Sequence, residues 1–160
     1  MLPLPLPLMR KSFILIPIIL LILVASALYL NDMISSAKRI SVNVERMEIA
    51  GASFEKVTIN VTLCMENPSG YYYSAEEMRY GIYVEDAKVG NGSLNKIAIP
   101  PKSRVCESGL MDLYYSGLGK ALANLLSEGK IDLNVNGTMK VNVIFIPVEV
   151  KFSERKTIKL

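Results

Sequence analysis

Residues Val57 to Gly70 read VTINVTLCMENPSG, ten positions of alternation followed by a stop. Val57, Ile59, Val61, Leu63 and Met65 fall on one side, and Thr58, Asn60, Thr62, Cys64 and Glu66 on the other. That period of two is the pattern of a strand with one face in a core. Asn67-Pro68-Ser69-Gly70 ends it, because proline donates nothing to a ladder and Asn, Ser and Gly favour turns.

The same period recurs on both sides. Upstream, Ile40, Val42 and Val44 alternate with polar residues, and the strand extends toward Ile49 before Gly51. Downstream, Tyr80 to Glu85 reads as a third strand, and Asp86 to Gly92 as turns around a short strand at Ala87 to Val89. A fourth ends at Ile97 to Ile99 against Pro100-Pro101, and Lys102 to Leu113 forms the next. Leu118, Ala121, Leu122, Leu125 and Leu126 have helical spacing, with Ser116 as N-cap and Gly129 at the C-terminal side. Ile131 to Val143 then alternates without interruption. Asn136-Gly137 could turn a hairpin, but the alternation runs through it, which favours one long bent strand. Pro147 falls in a turn before Val148, Val150 and Phe152. Short strands with regular turn signals and one short helix predict an all-β, antiparallel, fibronectin-III/immunoglobulin-like β-sandwich.

The N-terminal end is of another kind. Residues 1–11 form a short tail that opens MLPLPLPL, and Phe13 to Leu30 follows without a charge. Eighteen residues of helix cover about 27 Å, close to the hydrocarbon thickness of a bilayer. The expectation is a transmembrane helix over 12–31 with Pro17 in its first turns, a linker at 32–39 and the sandwich at 40–160. A cleaved signal ending at Ala25-Ser26-Ala27 is the alternative, and both send the rest of the chain across the membrane. Basic residues stand on both flanks, Arg10 and Lys11 before the span and Lys38, Arg39 and Arg46 after it, so charge leaves the sidedness open. Sequons at Asn60, Asn91 and Asn136 favour an extracytoplasmic domain. Ten asparagines and the Ser/Thr content would give about one by chance. Asn60 and Asn136 lie on the polar phase of their strands and Asn91 in a turn.

Composition narrows the chemistry. The net charge of +3 is spread among acids, with no basic stripe for nucleic acid. There is no histidine and only two cysteines, which removes the usual metal ligands and the usual general base. No cofactor is expected. The absence of Trp, His and Gln beside abundant Lys, Glu, Ile and Val fits a thermophilic source. The acidic pairs Glu76-Glu77 and Glu85-Asp86 read as solvated charge.

The order of features from Val42 to Phe152 resembles the late embryogenesis abundant group 2 family, also called the water-stress and hypersensitive-response domain. The features are the strand ending in Asn67-Pro68, Tyr83-x-x-x-x-x-x-Gly90-x-Gly92, Ile99-Pro100-Pro101-x-Ser103, an amphipathic helix, and Val135-x-Gly137-Thr138. The resemblance implies a fibronectin-like sandwich, an association with desiccation or other stress, membrane-anchored members, and no catalytic residues. In such a sandwich the second and fifth strands are antiparallel neighbours, which makes a Cys64–Cys106 disulfide geometrically plausible. The short connection at Phe145 to Pro147 departs from the family pattern. Tyr71, Tyr72 and Tyr73 are a candidate partner surface or a buried sheet edge. The function expected is non-enzymatic binding or protection at the membrane, held by residues 13–30. Two alternatives stay open: an accessory subunit of a membrane complex or surface filament, contacting other membrane or surface proteins, and a lipid-binding domain with a greasy cavity between the sheets; lipid and glycan are the candidate non-protein partners.

Overall fold

The structure is a computed structural model that describes residues 9–84, 87–119 and 127–159. The chain divides into two compact units at Ser35/Ser36. The first consists of most of helix α1, Met9–Ala37. The second is a sandwich of seven strands: β1 Ser41–Ala52, β2 Lys56–Asn67, β3 Tyr73–Val84, β4 Ala87–Ile99, β5 Ser103–Tyr114, β6 Lys130–Val143 and β7 Ile146–Lys159. One sheet has the order β1-β2-β5 and the other β4-β3-β6-β7, with every pairing antiparallel. This is the expected sandwich class.

Helix α1 continues past Leu30, so most of the predicted linker at 32–39 is helical. Residues 31–37 contain neither Gly nor Pro, and nothing there stops the helix until Lys38. Pro17 lies in the helix interior rather than its first turns, because Met9 to Ile16 extend the helix upstream. The Ser26 hydroxyl donates to the Ile22 carbonyl at 2.8 Å, which satisfies it within the helix.

Asp86–Gly92 was expected to turn, yet Ala87–Ile99 is one continuous strand. The reason lies in how Gly90 and Gly92 pack. A Cβ at Gly90 would come within 2.7 Å of Leu113 Cδ2, and one at Gly92 within 2.4 Å of the Tyr80 ring. In register across the inner face, Gly92 pairs with Tyr80, Tyr80 with Gly137, and Gly137 with Phe152. Each ring covers a neighbouring glycine, so aromatic bulk and bare backbone alternate along one row. Burial pushes the Tyr80 phenol up. At Gly137 a methyl would sit 2.3 Å from Phe152 Cζ and 2.8 Å from the Arg79 carbonyl oxygen. Gly137→Ala is therefore expected to destabilise by about 2–3 kcal/mol through overpacking. Gly51→Ala, with nothing within 4 Å, should change stability by less than about 0.5 kcal/mol. Chemical unfolding of the pair checks both.

β6 runs unbroken through Asn136-Gly137 from Lys130 to Val143, as preferred from the sequence. β3 begins at Tyr73, so it is longer than the expected 80–85. Pro147 sits within β7, paired with Asn142 near the start of an edge strand, where a missing donor is tolerated. The β6–β7 connection is a two-residue turn, Ile144-Phe145, with Ile144 at φ 58°. The short helix α2, Tyr115–Leu118, starts after Tyr114 at the N-cap position instead of Ser116. Ala121, Leu122, Leu125 and Leu126 lie outside the described residues.

The stop at Asn67 is a built junction. Its buried amide nitrogen donates to the carbonyls of Tyr71 at 2.8 Å, Ile99 at 3.3 Å and Pro100 at 2.9 Å. Its Oδ1 accepts from the Ser69 amide at 3.0 Å and the Ser69 hydroxyl at 2.8 Å. The Lys102 amide donates to the Ser69 carbonyl at 2.9 Å. One side chain thus ties the β2–β3 and β4–β5 connections together.

The edge strands β1 and β7 meet at Glu154. Its Oε2 accepts from the Val44 amide at 2.5 Å, beside the β1 irregularity between Val44 and Arg46, and its Oε1 lies 2.8 Å from Lys156 Nζ. A carboxylate on the inward phase of β7 thereby caps a free donor of the other sheet's edge strand. Burial by itself would raise the Glu154 carboxyl, but the bonds from Lys156 and Val44 outweigh it and hold the group below its ordinary 4.5. A depressed folded-state value stabilises the fold above the unfolded carboxyl range, and that contribution is lost as pH falls through it. Glu154→Gln should flatten the fall in stability below about pH 5 relative to the parent chain, read from unfolding midpoints across acid pH.

Candidate functional site

Two surfaces of the sandwich concentrate polar or exposed groups. The larger is the outer face of the four-stranded sheet, an open groove whose floor includes Glu77, Arg79, Gly81, Asn91, Asn136 and Thr138. Register places these side chains in rows. Asn91 and Asn136 flank Gly81, Ser93 and Thr138 flank Arg79, and Lys140 stands beside Glu77 with Glu149 beyond it. A Cβ at Gly81 would meet the Tyr83 ring at 3.0 Å, so that ring folds over the bare backbone between the two asparagines. The Asn136 Oδ1 accepts from Ser153 Oγ at 2.7 Å. The Arg79 guanidinium, 2.7 Å from Glu77, holds the Glu77 carboxyl below its ordinary value, with Lys140 adding to the effect. Such a face offers hydrogen-bond donors and acceptors around one aromatic plane.

Two of the three sequon asparagines, Asn91 and Asn136, therefore share a face. They lie two strands apart, about 10 Å. Asn91 is within β4 rather than in a turn, because the predicted turn is itself strand. Asn60 is on the outer face of the other sheet, opposite Leu110 of β5 and Glu48 of β1.

Cys64 pairs directly with Cys106 across β2 and β5, with sulfurs at a bonding distance of 2.03 Å and Cα atoms 4.0 Å apart. The three tyrosines do not form one exposed patch. Tyr73 is in the core, Tyr71 is half-buried with its ring edge-on to Tyr73 at 6.4 Å, and Tyr72 is exposed. The strand period that begins at Tyr73 separates them. Among the described residues no group of three His, Cys, Asp or Glu side chains could hold a metal ion. On the outer face of the other sheet Lys56, Asp112 and Thr58 form a closed cluster. Lys56 Nζ is 2.5 Å from Asp112 Oδ2, and the Thr58 hydroxyl donates to Oδ1 at 2.7 Å. The hydrogen bonds from Lys56 and Thr58 hold the Asp112 carboxyl below its ordinary value.

Sequence reasoning did not single out the groove formed by Arg79, Lys140 and Glu149. Its signal was present in the polar phases of β3, β6 and β7, but which strands lie side by side is a tertiary fact. Glu154 also went unnoticed, although it breaks the apolar phase set by Val148, Val150 and Phe152.

Solved structures share the architecture. A protein from Archaeoglobus fulgidus is similar at 16% identity and TM-score 0.52, over 75% of this chain and 95% of that one. An Arabidopsis thaliana protein solved in solution is similar at 14% identity and TM-score 0.65, over 77% and 82%. A candidate late embryogenesis abundant protein is similar at 11% identity and TM-score 0.53, over 94% and 88%. At these identities the likeness is one of fold. No curated protein matches the chain. Residues 62–156 match the LEA_2 family, described as late embryogenesis abundant protein, and they run from the middle of β2 into β7. Because that match takes in more than half of the sequence and most of the sandwich, this chain belongs to the late embryogenesis abundant protein family.

Proposed function

We propose that this chain is a membrane-anchored, extracytoplasmic stress-protein domain that works by binding or protection and not by catalysis. The observation that carries the reading is the helix before the domain. Within Leu15–Ala37 its most apolar 18-residue window has a mean hydropathy of 2.1, and none of that window is buried by protein. A surface that greasy needs lipid to cover it. The cysteine pair at bonding distance and the sequons on outward faces support an oxidising, extracytoplasmic compartment. Leu63, Met65, Met78, Leu133 and Met139 fill the layer between the sheets, which weighs against a lipid-carrying cavity. The polar outer face around Tyr83 is the surface most suited to glycan, envelope polymer or protein.

Protease treatment of intact cells, followed by intact-mass analysis, tests the placement. The expected result is release of the sandwich with its two thiols oxidised and sugar masses on sequon asparagines. A sandwich protected from protease and carrying free thiols would overturn it.

A further inference from the structure

We infer that the β6–β7 hairpin is a second membrane contact that dips Ile144, Phe145 and Ile146 into the lipid interface. This rests on the anchored reading above. The turn is a poor choice for folding alone. A two-residue hairpin favours Asn-Gly or Gly at positive φ, yet here Ile144, a β-branched residue, takes φ 58°. The three side chains are left outside the core, with Ile144 54%, Phe145 95% and Ile146 45% exposed. A strained turn built from large apolar residues breaks the local rule and gains nothing within the domain.

Its place in the fold says what covers it. Ser41 pairs with Glu66, Asn67 with Ser103, Tyr73 with Ile99, and Asn142 with both Ser74 and Pro147. The start of β1, the β2–β3 and β4–β5 connections and the β6–β7 turn therefore lie at one end of the sandwich. The chain enters β1 at that end, four residues beyond the last residue of helix α1, a reach of at most about 14 Å, and eleven residues beyond Leu30, where the uncharged run ends. Along the shared edge Glu154, eight residues into β7, meets Val44, three residues into β1. The hairpin thus extends about five residues, up to roughly 16 Å, beyond the start of β1. The same end carries exposed Tyr72 and the exposed basic residues Lys38, Arg39 and Lys102. An apolar tip with tyrosine and cations at the same end of the fold is the composition of a segment that rests at a lipid head-group boundary. A bilayer asks for no shape complementarity, which suits a narrow tip.

The chain contains no tryptophan, so one substitution gives a unique probe. The full chain carrying Phe145→Trp is reconstituted into phosphatidylcholine–phosphatidylglycerol vesicles, with and without lipid brominated near the head-group end of the acyl chain. Phe54→Trp, on the fully exposed β1–β2 turn at the other end of the sandwich, is the control. The Phe145→Trp emission should be blue-shifted and fall about twofold in brominated vesicles, while the Phe54→Trp emission stays water-like and unquenched. If the protein floats with the vesicles but neither probe is quenched, the hairpin contact is wrong and the anchor stands. A blue shift without quenching would assign the tip to a protein surface, such as a second copy, and overturn the lipid contact. Failure to float overturns the anchor and this inference together.

Discussion

Replacing Asn67 with alanine is expected to lower the unfolding free energy of the sandwich by about 3–4 kcal/mol. The side chain is 2% exposed and makes five hydrogen bonds, three as donor and two as acceptor. Alanine would leave the carbonyls of Tyr71, Ile99 and Pro100 short of a donor. Each buried group left unpaired costs about 1–3 kcal/mol, and water entering the gap recovers part of that sum. Asn67→Asp should be at least as harmful, since it keeps the size but turns an acceptor toward three carbonyl oxygens. Denaturant unfolding in detergent, followed by β-sheet circular dichroism, measures both. A loss under about 1 kcal/mol for alanine would mean the junction does not hold the two connections together.

The second large effect belongs to the Cys64–Cys106 pair. Its members are 42 residues apart in sequence, and closing such a loop removes denatured-state entropy worth about 4 kcal/mol. The double change Cys64→Ala and Cys106→Ala should lower stability by roughly that amount, and so should reductant acting on the parent chain. The double variant should then be indifferent to reductant. Cys106 is exposed while Cys64 is fully buried, so reduction should begin from the Cys106 side of the bond. Equal midpoints with and without reductant in the parent chain would contradict the bond.

Much of this fold was legible because strand period is a local property. The alternation at Val57–Glu66 and at Ile131–Val143 marked β2 and β6 within about one residue at each end. Legibility failed where local chemistry and packing disagree. Gly90 and Gly92 read as turn residues, yet Gly92 is needed bare because the Tyr80 ring occupies its Cβ position. Tyr71 to Tyr73 read either as a partner surface or as a buried sheet edge, and the strand that begins at Tyr73 is what sends that ring into the core. The hairpin read as an oddly short connection, because nothing local says that it lies at the end of the sandwich where β1 begins.

By itself the sequence determined the class of the domain, the apolar run before it, and the lack of histidine. Those follow from periodicity, hydropathy and composition, which need no neighbours. Only the tertiary structure decided that Asn91 and Asn136 flank one glycine, that Cys64 faces Cys106, that Glu154 closes the open edge on Val44, and that Ile144-Phe145 lies at the end where β1 begins. Each of these joins residues far apart in the chain, and their meeting is set by strand register and sheet order, which no local pattern encodes.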